Sequence, residues 1–235
     1  MNSLSTRIPN LAHTIRCSKS WPAIVATLPI AADLARNASG VVVTDHGSSW
    51  VRRVRADGID IYLKTYEYGS WPARLRNLAK RTAPWFKSRA QREFEALRWL
   101  AEHRFPAPEP LALLEVRRFG FLVRALLATA AFPGQPANHL LPTLIPEHQR
   151  ELAHALGRLV GDLHKLGFRD RNLDLRNLLV SRDGGSFRIA KIDSGRFVLR
   201  APGTVADSLA HADWDRLLAQ LPPHLAIIAR AAGSR

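Results

Sequence analysis

The segment at 167–180, GFRDRNLDLRNLLV, concentrates side chains that can orient a hydroxyl group and hold a metal ion. It contains the carboxylates of Asp170 and Asp174 and the carboxamides of Asn172 and Asn177. An Asp-Leu-x-x-x-Asn spacing would place a carboxylate against a reacting hydroxyl and an amide oxygen on magnesium. Asn177 ends such a spacing, but the residue five positions earlier is Asn172, and the two aspartates lie on either side of it.

A further carboxylate, Asp193, lies in the stretch AKIDSGR, after the apolar run FRIAKI and before Gly195. Sixteen residues and a turn at 183–185 separate it from Asn177. Two β-like runs around such a turn predict a hairpin. We therefore expect Asp193 and Asn177 to share a magnesium site, since oxygen ligands suit that ion. A turn-forming role is the alternative for each residue.

Upstream of this segment, β-like and helical patterns follow one another. Asp57-Gly58 between two runs of alternating apolar residues is a strong hairpin signal. Ser88 is suited to cap a helix whose apolar stripe recurs at i, i+3 and i+4. The pattern predicts strands at 40–44, 49–56 and 59–66, a basic helix at 73–82 and an amphipathic helix at 88–103.

The rest of the chain adds two strands, a proline-containing connector at 132–138, and a helix at 147–166 that ends at Gly167. The loop, the hairpin and a last helix in DSLAHADWDRLLAQL follow. This order predicts an α+β fold with two unequal lobes. The predicted parts are an N-terminal extension at 1–35, an N-lobe at 36–135 and a C-lobe at 136–235.

The composition restricts the partners and the compartment. With 34 Lys and Arg against 20 Asp and Glu, the net charge is +14, which favours polyanions such as anionic membranes, phosphorylated glycolipids or nucleic acid. The single Cys17 excludes an intramolecular disulfide and a Cys-based zinc cluster. We find no signal peptide or membrane-spanning pattern, so we expect a cytoplasmic protein with peripheral membrane contact.

From about residue 40 to residue 200, the order and spacing of these elements resemble the protein-kinase-like superfamily. Within it, the chain is most similar to the bacterial lipopolysaccharide core kinases, which phosphorylate heptose or Kdo sugars of the inner core. The resemblance implies a bilobal protein-kinase-like fold, with an antiparallel sheet in the N-lobe and a short, mainly helical C-lobe. It also implies ATP and Mg²⁺ as cofactors.

The resemblance assigns a role to each candidate residue. Lys64, in IYLKTY, would hold the nucleotide phosphates, and Glu93, in AQREFEAL, would position it, with Glu95 as a competitor. Gly47, in TDHGSSW, would belong to the loop that covers the nucleotide. Asp193 and Asn177 would bind the metal, as the Asp of an Asp-Phe-Gly signature and the Asn of the catalytic loop do.

The same alignment places Asn172 on the catalytic aspartate of the family, where an amide cannot accept a proton as a carboxylate does. Three interpretations stay open. Asn172 orients the acceptor while Asp170 or Asp174 supplies a carboxylate from a shifted position, or the chain is a slow kinase, or it is a pseudokinase. Much of phosphoryl transfer is positioning and charge stabilisation, so activity can survive such a change.

The basic stretch at 73–92 contains seven Arg or Lys, no acid, and the aromatic pair Trp85 and Phe86. Such a pattern predicts contact with an anionic membrane or with sugar phosphates at the inner membrane. We expect lipopolysaccharide core as the acceptor. A small molecule or protein acceptor is the alternative. The chain has no nucleic-acid-binding motif, so nucleic acid is not an expected partner.

Overall fold

A computed structural model describes residues 3–4, 7–8, 11–17, 41–45, 49–56, 58–68, 72, 82–204 and 207–234. The chain divides into two compact units. The first comprises Met1–Arg98 and Pro108–Ala131, and the second comprises Trp99–Ala107 and Phe132–Arg235. Among the described helices, none combines the length and the apolar character that crossing a bilayer requires.

The first unit is built on an antiparallel sheet with eight described strands. The predicted hairpin at Asp57-Gly58 is present, since Ala56 lies opposite Ile59. Gly58 has φ +79°, which a residue without Cβ adopts at little cost. The strands are β1 (Ser3–Leu4), β2 (Arg7–Ile8), β3 (Leu11–Cys17), β4 (Val41–Asp45), β5 (Ser49–Ala56), β6 (Ile59–Glu67), β7 (Pro110–Arg118) and β8 (Phe121–Ala130). Their order in the sheet is β1-β3-β7-β8-β6-β5-β4, and β2 also pairs with β3.

Part of the segment predicted as an N-terminal extension belongs to this sheet. Strand β3 pairs antiparallel with β7 from Leu11 opposite Arg118 to Cys17 opposite Ala112. The short runs around β3 carry no periodicity that distinguishes a strand from a loop. Its place in the sheet depends on a partner almost a hundred residues away in the sequence. The predicted basic helix lies mostly outside the described residues, which resume at 82.

Helix α1 (Arg89–Glu102) follows the sheet strands β4 to β6 and confirms the predicted amphipathic helix. The hydroxyl of Ser88 accepts a hydrogen bond from the backbone N–H of Gln91 at 3.0 Å, so it caps the helix as expected. Phe94, Leu97 and Leu100 recur on one face and are buried. Burial of this stripe sets the rotation of α1 about its own axis, and therefore the directions in which its polar side chains extend.

In the described part of the second unit there are four α-helices, several short strands and two 3₁₀ turns, one of them directly before the predicted hairpin. The hairpin pairs Leu178 with Lys191 and Asp183 with Ser186. The elements are β9 (Gln135–Pro136), α2 (Ala137–Leu140), the 3₁₀ turn Leu141–Thr143, α3 (Pro146–Lys165), β10 (Phe168–Arg169), the 3₁₀ turn Leu175–Asn177, β11 (Leu178–Asp183), β12 (Ser186–Lys191), β13 (Val198–Leu199), α4 (Ser208–Leu218) and α5 (Pro223–Gly233).

The core of the second unit lies where α3, α4 and α5 pack on the hairpin. Leu152, Leu156 and Val160 of α3 join Leu178 and Ile189 of the hairpin in one buried cluster. Helix α5 was not predicted from the sequence. It crosses α3 closely, because a Cβ atom added at Gly157 would lie 2.0 Å from the carbonyl oxygen of Ala229. The loop that follows α3 therefore begins at a helix that is firmly packed in this core.

Candidate active site

In the first unit, Lys64 and Glu93 form an ion pair. Lys64 lies on β6, Glu93 lies on α1, and 2.8 Å separates Nζ from Oε2. Glu93 is buried, and the hydroxyl of Tyr66 lies 3.5 Å from the same carboxylate oxygen. Glu95, the competing candidate, pairs instead with Lys87 at the surface, at 2.9 Å. The structure therefore brings Lys64 together with Glu93 and not with Glu95.

In the second unit, Asn172, Asn177 and Asp193 are linked by hydrogen bonds. The amide Nδ2 of Asn172 donates to Oδ2 of Asp193 at 3.0 Å and to the backbone carbonyl of Asp193 at 3.3 Å. The amide Nδ2 of Asn177 donates to the backbone carbonyl of Asn172 at 3.1 Å. These bonds join the loop before β11 to the segment after β12, so the hairpin brings its two open ends together.

Two residues of this region have a left-handed backbone conformation, which residues other than glycine rarely adopt. Arg171 has φ +61° and Asp193 has φ +56°. Such conformations cost about 1–3 kcal/mol each and persist only where surrounding contacts hold them. They lie directly before Asn172 and at its hydrogen-bond partner. Backbone strain of this kind is concentrated at functional sites.

Asp213 of α4 holds the strained loop. Its carboxylate accepts hydrogen bonds from the backbone N–H groups of Asp170 and Arg171, both at 2.8 Å. Nε2 of His164, at the end of α3, lies 3.4 Å from the same carboxylate. Asp213 is almost fully buried. A single side chain therefore ties α3, α4 and the loop together, one residue before Asn172.

Asp170, a residue of this loop, forms a buried ion pair with Lys191 of β12. The Asp170 Oδ2 and the Lys191 Nζ are 3.1 Å apart, and the two side chains are 2% and 1% exposed. Burial raises the pKa of Asp170 above its ordinary value; the ammonium of Lys191 opposes this rise, and the nearby carboxylate of Asp213 adds to it. Lys191 also donates to the backbone carbonyl of Ile192. A carboxylate enclosed in this way is inaccessible to a large acceptor.

Asp174 is held by its own neighbour. It caps the 3₁₀ turn and accepts three hydrogen bonds from Arg176, one from the backbone N–H and two from the guanidinium, at 2.9–3.0 Å. These bonds with Arg176 lower the pKa of Asp174. Its side chain lines a surface cavity with Gln220 and Pro222. Asn172, Asp170 and Asp174 were the predicted catalytic residues. Asn172 is the one whose side chain is hydrogen-bonded to Asp193 in the described part of the chain.

Three buried residues of this region were not predicted from the sequence: Lys191, Asp213 and Arg169. Arg169 donates to the backbone carbonyls of His164 and Phe168 and contacts Asp207, the N-cap of α4. A signal was present for two of them. Lys191 interrupts the otherwise apolar end of a strand, and Asp213 shares a helical face with apolar residues. A charge on an apolar face indicates a buried partner.

The oxygen donors present fit a magnesium ion that also takes phosphate oxygens. Mg²⁺ in nucleotide sites uses one or two protein carboxylates together with phosphates. Asp193 offers a carboxylate, and the bond from Nδ2 of Asn177 turns the amide oxygen of that residue away from Asn172. Within the described ranges, no three His, Cys, Asp or Glu side chains gather into a metal cage. Gly47 lies outside the described residues.

Comparison with known proteins decides the family. The model of the lipopolysaccharide kinase (Kdo/WaaP) family matches residues 45–221, which is most of the chain. The chain belongs to the lipopolysaccharide kinase (Kdo/WaaP) family. It is therefore a kinase of the class that acts on lipopolysaccharide core, as the sequence resemblance predicted. The comparison with curated proteins gives no match.

Two solved structures share the fold of this lipopolysaccharide kinase. A structure of WaaP in complex with acyl carrier protein has a TM-score of 0.68 at 17% identity, over 94% of this chain and 88% of that chain. A Rio2 kinase–ADP/Mg²⁺–phosphoaspartate complex from Chaetomium thermophilum has a TM-score of 0.57 at 16% identity, over 93% and 71%. The predicted α+β, protein-kinase-like fold is confirmed by both.

Proposed function

We propose that the chain transfers the γ-phosphoryl group of ATP, with Mg²⁺, to a sugar hydroxyl of the lipopolysaccharide inner core. The observation that carries this proposal is the hydrogen-bonded set of Asn172, Asn177 and Asp193 at the open end of one hairpin. The family membership of the chain supplies the class of acceptor. The reaction forms a bond between the sugar oxygen and the γ-phosphorus and breaks the bond to the bridging oxygen of ADP.

In the first unit, Lys64 would bind the phosphates of the nucleotide as a cation. The buried carboxylate of Glu93 fixes the direction in which Lys64 extends, because it accepts a hydrogen bond from Nζ at 2.8 Å. A preorganised cation stabilises phosphate charge without having to be reoriented during the reaction. We also assign Gly47 to the segment that covers the nucleotide, by its position in the sequence between β4 and β5.

In the second unit, Asp193 and Asn177 would hold the metal ion through oxygen atoms. Bound Mg²⁺ would neutralise charge on the phosphates, which is its usual part in phosphoryl transfer. The left-handed backbone of Asp193 and the hydrogen bond of Asn177 fix these two side chains before any ligand arrives. A site prepared in this way loses less conformational entropy on binding.

Asn172 would orient the acceptor hydroxyl through its Oδ1 atom, since its Nδ2 atom donates to Asp193. An amide oxygen accepts a hydrogen bond but does not retain the proton, so the proton leaves with a phosphate oxygen or to solvent. We propose that Asp170 contributes by holding the loop through Lys191. Asp174 would keep the 3₁₀ turn before β11 in place through Arg176. Positioning rather than general base catalysis then accounts for the rate.

We further propose that the chain works at the cytoplasmic face of the inner membrane, with the region at 73–92 towards the anionic surface. The net charge of +14 supports this, because a positive field concentrates the protein at anionic lipid. The part at 73–81 lies outside the described residues. The part at 82–92 carries Trp85 and Phe86 with their rings exposed.

The test is transfer of label from γ-labelled ATP with Mg²⁺ to dephosphorylated lipopolysaccharide core, with Asp193→Ala as the matched control. We expect label on the core with the wild-type chain and none with the variant. Nucleotide binding without transfer to any acceptor would overturn the proposal. Transfer to a soluble sugar or a protein, with none to the core, would contradict the proposed acceptor and support the proposed phosphoryl transfer.

A further inference from the structure

Three large aromatic side chains are exposed on neighbouring segments of the first unit. Trp85 is 74% exposed, Phe86 is 46% exposed and Phe119 is 61% exposed. The rings of Trp85 and Phe86 lie 6.4 Å apart and are tilted by 60°, so they do not cover each other. Phe119 lies in the turn between β7 and β8, with φ +51°. Exposing this much apolar surface lowers solubility unless a partner covers it.

Hydrogen bonds of one arginine hold together the two backbone segments that carry these rings. The guanidinium of Arg117 donates to the backbone carbonyls of Ala83, Phe86 and Gly120 at 3.2–3.3 Å. It thereby ties the segment that contains Trp85 to the turn that contains Phe119. A Cβ atom added at Gly120 would lie 2.9 Å from the ring of Pro84, so the backbone of Gly120 packs closely against that ring. The two backbone segments that carry Trp85, Phe86 and Phe119 are therefore fixed relative to each other.

Two cationic residues neighbour these aromatic residues. The guanidinium of Arg118 lies 5.4 Å from the centre of the Phe119 ring, and Lys87 follows Phe86 directly. Lys87 is exposed, although Glu95 pairs with it at 2.9 Å. Apolar tips with a cationic rim are complementary to the boundary between acyl chains and anionic headgroups. A second copy of a chain with a net charge of +14 would instead be repelled.

We propose that Trp85, Phe86 and Phe119 form a docking tip that inserts into the interface of an anionic bilayer, with Lys87 and Arg118 contacting the headgroups. The inference deepens the proposed function, since it names the element that brings the chain to a membrane-borne acceptor. It adds the β7–β8 turn, which the charge run at 73–92 does not include. Trp and Phe side chains buried at the boundary between headgroups and acyl chains anchor peripheral proteins to membrane surfaces.

The test is sedimentation of the full chain with vesicles of phosphatidylcholine containing about 30 mol% phosphatidylglycerol, in about 0.15 M NaCl. Phe119→Ser and Trp85→Ser are compared with Ile227→Ser, because Ile227 is a 71% exposed apolar residue in the second unit. We expect each docking-tip variant to weaken vesicle binding by about tenfold or more, and Ile227→Ser by less than about twofold. Unfolding midpoints within about 2 °C of wild type verify that all three variants fold.

Arg118→Gln separates insertion from simple attraction between charges. We expect it to reduce binding to the anionic vesicles by about fivefold and to leave the weak binding to pure phosphatidylcholine unchanged. A loss with Arg118→Gln and none with Phe119→Ser would overturn the docking tip. So would equal losses with Phe119→Ser and Ile227→Ser. Self-association that Phe119→Ser abolishes, without vesicle binding, would assign the cluster to a second copy instead.

The vesicle experiment contains no nucleotide and no acceptor, so it is independent of the kinase chemistry. Asp193→Ala is included, and we expect it to bind vesicles as the wild type does. Vesicle binding that depends on Phe119, together with a failure of phosphoryl transfer, would contradict the proposed function and leave the docking tip supported. Transfer without Phe119-dependent binding would remove only the docking tip.

Discussion

The side-chain amide of Asn172 donates a hydrogen bond to Oδ2 of Asp193, with 3.0 Å between the two atoms. This bond is possible because residue 172 is an amide. A carboxylate at the same place would put two negative charges in contact. The replacement of the usual aspartate therefore changes the site before any ligand binds, in addition to removing a possible proton acceptor.

Asn172→Asp is expected to make the stability of the chain depend on magnesium. The substitution exchanges a hydrogen bond for repulsion between two carboxylates, so the free energy of unfolding in EDTA should fall by about 1–3 kcal/mol. Mg²⁺ with ADP should recover at least half of this loss. Urea unfolding under both conditions measures it. Asn172→Ala is the control, because it loses the hydrogen bond without adding charge. A loss of equal size with and without Mg²⁺–ADP in the Asp variant would contradict the expectation.

Asp170 and Lys191 should behave as one unit in a double-mutant cycle. Asp170→Asn leaves the buried ammonium of Lys191 without its counter-charge, and Lys191→Met leaves the buried carboxylate unpaired. Each single change should cost about 3–5 kcal/mol of unfolding free energy, and the double variant less than the sum. Additive losses would show that the pair is not coupled. If the stable double variant lacks kinase activity, Asp170 has a part in the reaction beyond holding the loop.

Glu93→Gln and Glu95→Gln form a matched pair on one helix. Glu93 is buried against Lys64, whereas Glu95 meets Lys87 at the surface. Loss of the charge-assisted bond should leave Lys64 less well oriented, and we expect about tenfold weaker ATP binding for Glu93→Gln. Glu95→Gln should change ATP affinity by less than about twofold. Calorimetric titration with a non-hydrolysable ATP analogue measures both. Equal effects of the two substitutions would argue against the role of Lys64.

Asp207 should give the chain a stability that is lost in acid. Burial raises the pKa of Asp207, but the backbone N–H of Ala210 and the guanidinium of Arg169 outweigh it, so the pKa is lowered. Ionised Asp207 is thus favoured in the folded state. Its contribution is complete above the unfolded pKa of about 3.9 and disappears as the pH falls through the lower folded pKa.

Asp207→Asn tests this contribution, because Asn still caps a helix but does not pair with Arg169 as an anion. The variant should be less stable than wild type by about 1.5–3 kcal/mol at pH 7, and the difference should narrow below about pH 4. Urea unfolding across the pH range measures it. A difference that stays constant down to about pH 3 would show that the charge of Asp207 is not responsible.

Local sequence signals determined most of the elements that carry the candidate site. The apolar stripe and Ser88 fixed helix α1, and the glycine after α3 marked its end. Alternation around the turn at 183–185 fixed the hairpin, whose ends bring Asn177 and Asp193 near each other. These features depend on residues within one or two turns of each other. A pattern of that range is visible without a structure.

Strand β3 and helix α5 show where local signals are insufficient. Strand β3 pairs with β7, far along the chain, and its own seven residues have no clear alternation. Helix α5 gains its place from close contact with α3 at Gly157. Both elements are stabilised by partners distant in sequence. Single-sequence patterns do not report such contacts.

By itself, the sequence determined the kinase-like order of elements and the identity of Lys64, Glu93, Asn172, Asn177 and Asp193 as candidates. Only the tertiary structure decided which partner each of these carboxylates has. It enclosed Asp170 with Lys191, turned Asp174 towards Arg176 and placed Glu93 rather than Glu95 on Lys64. The reason is physical. The role of a carboxylate depends on its burial and on its nearest cation, and both are set by packing between segments distant in sequence.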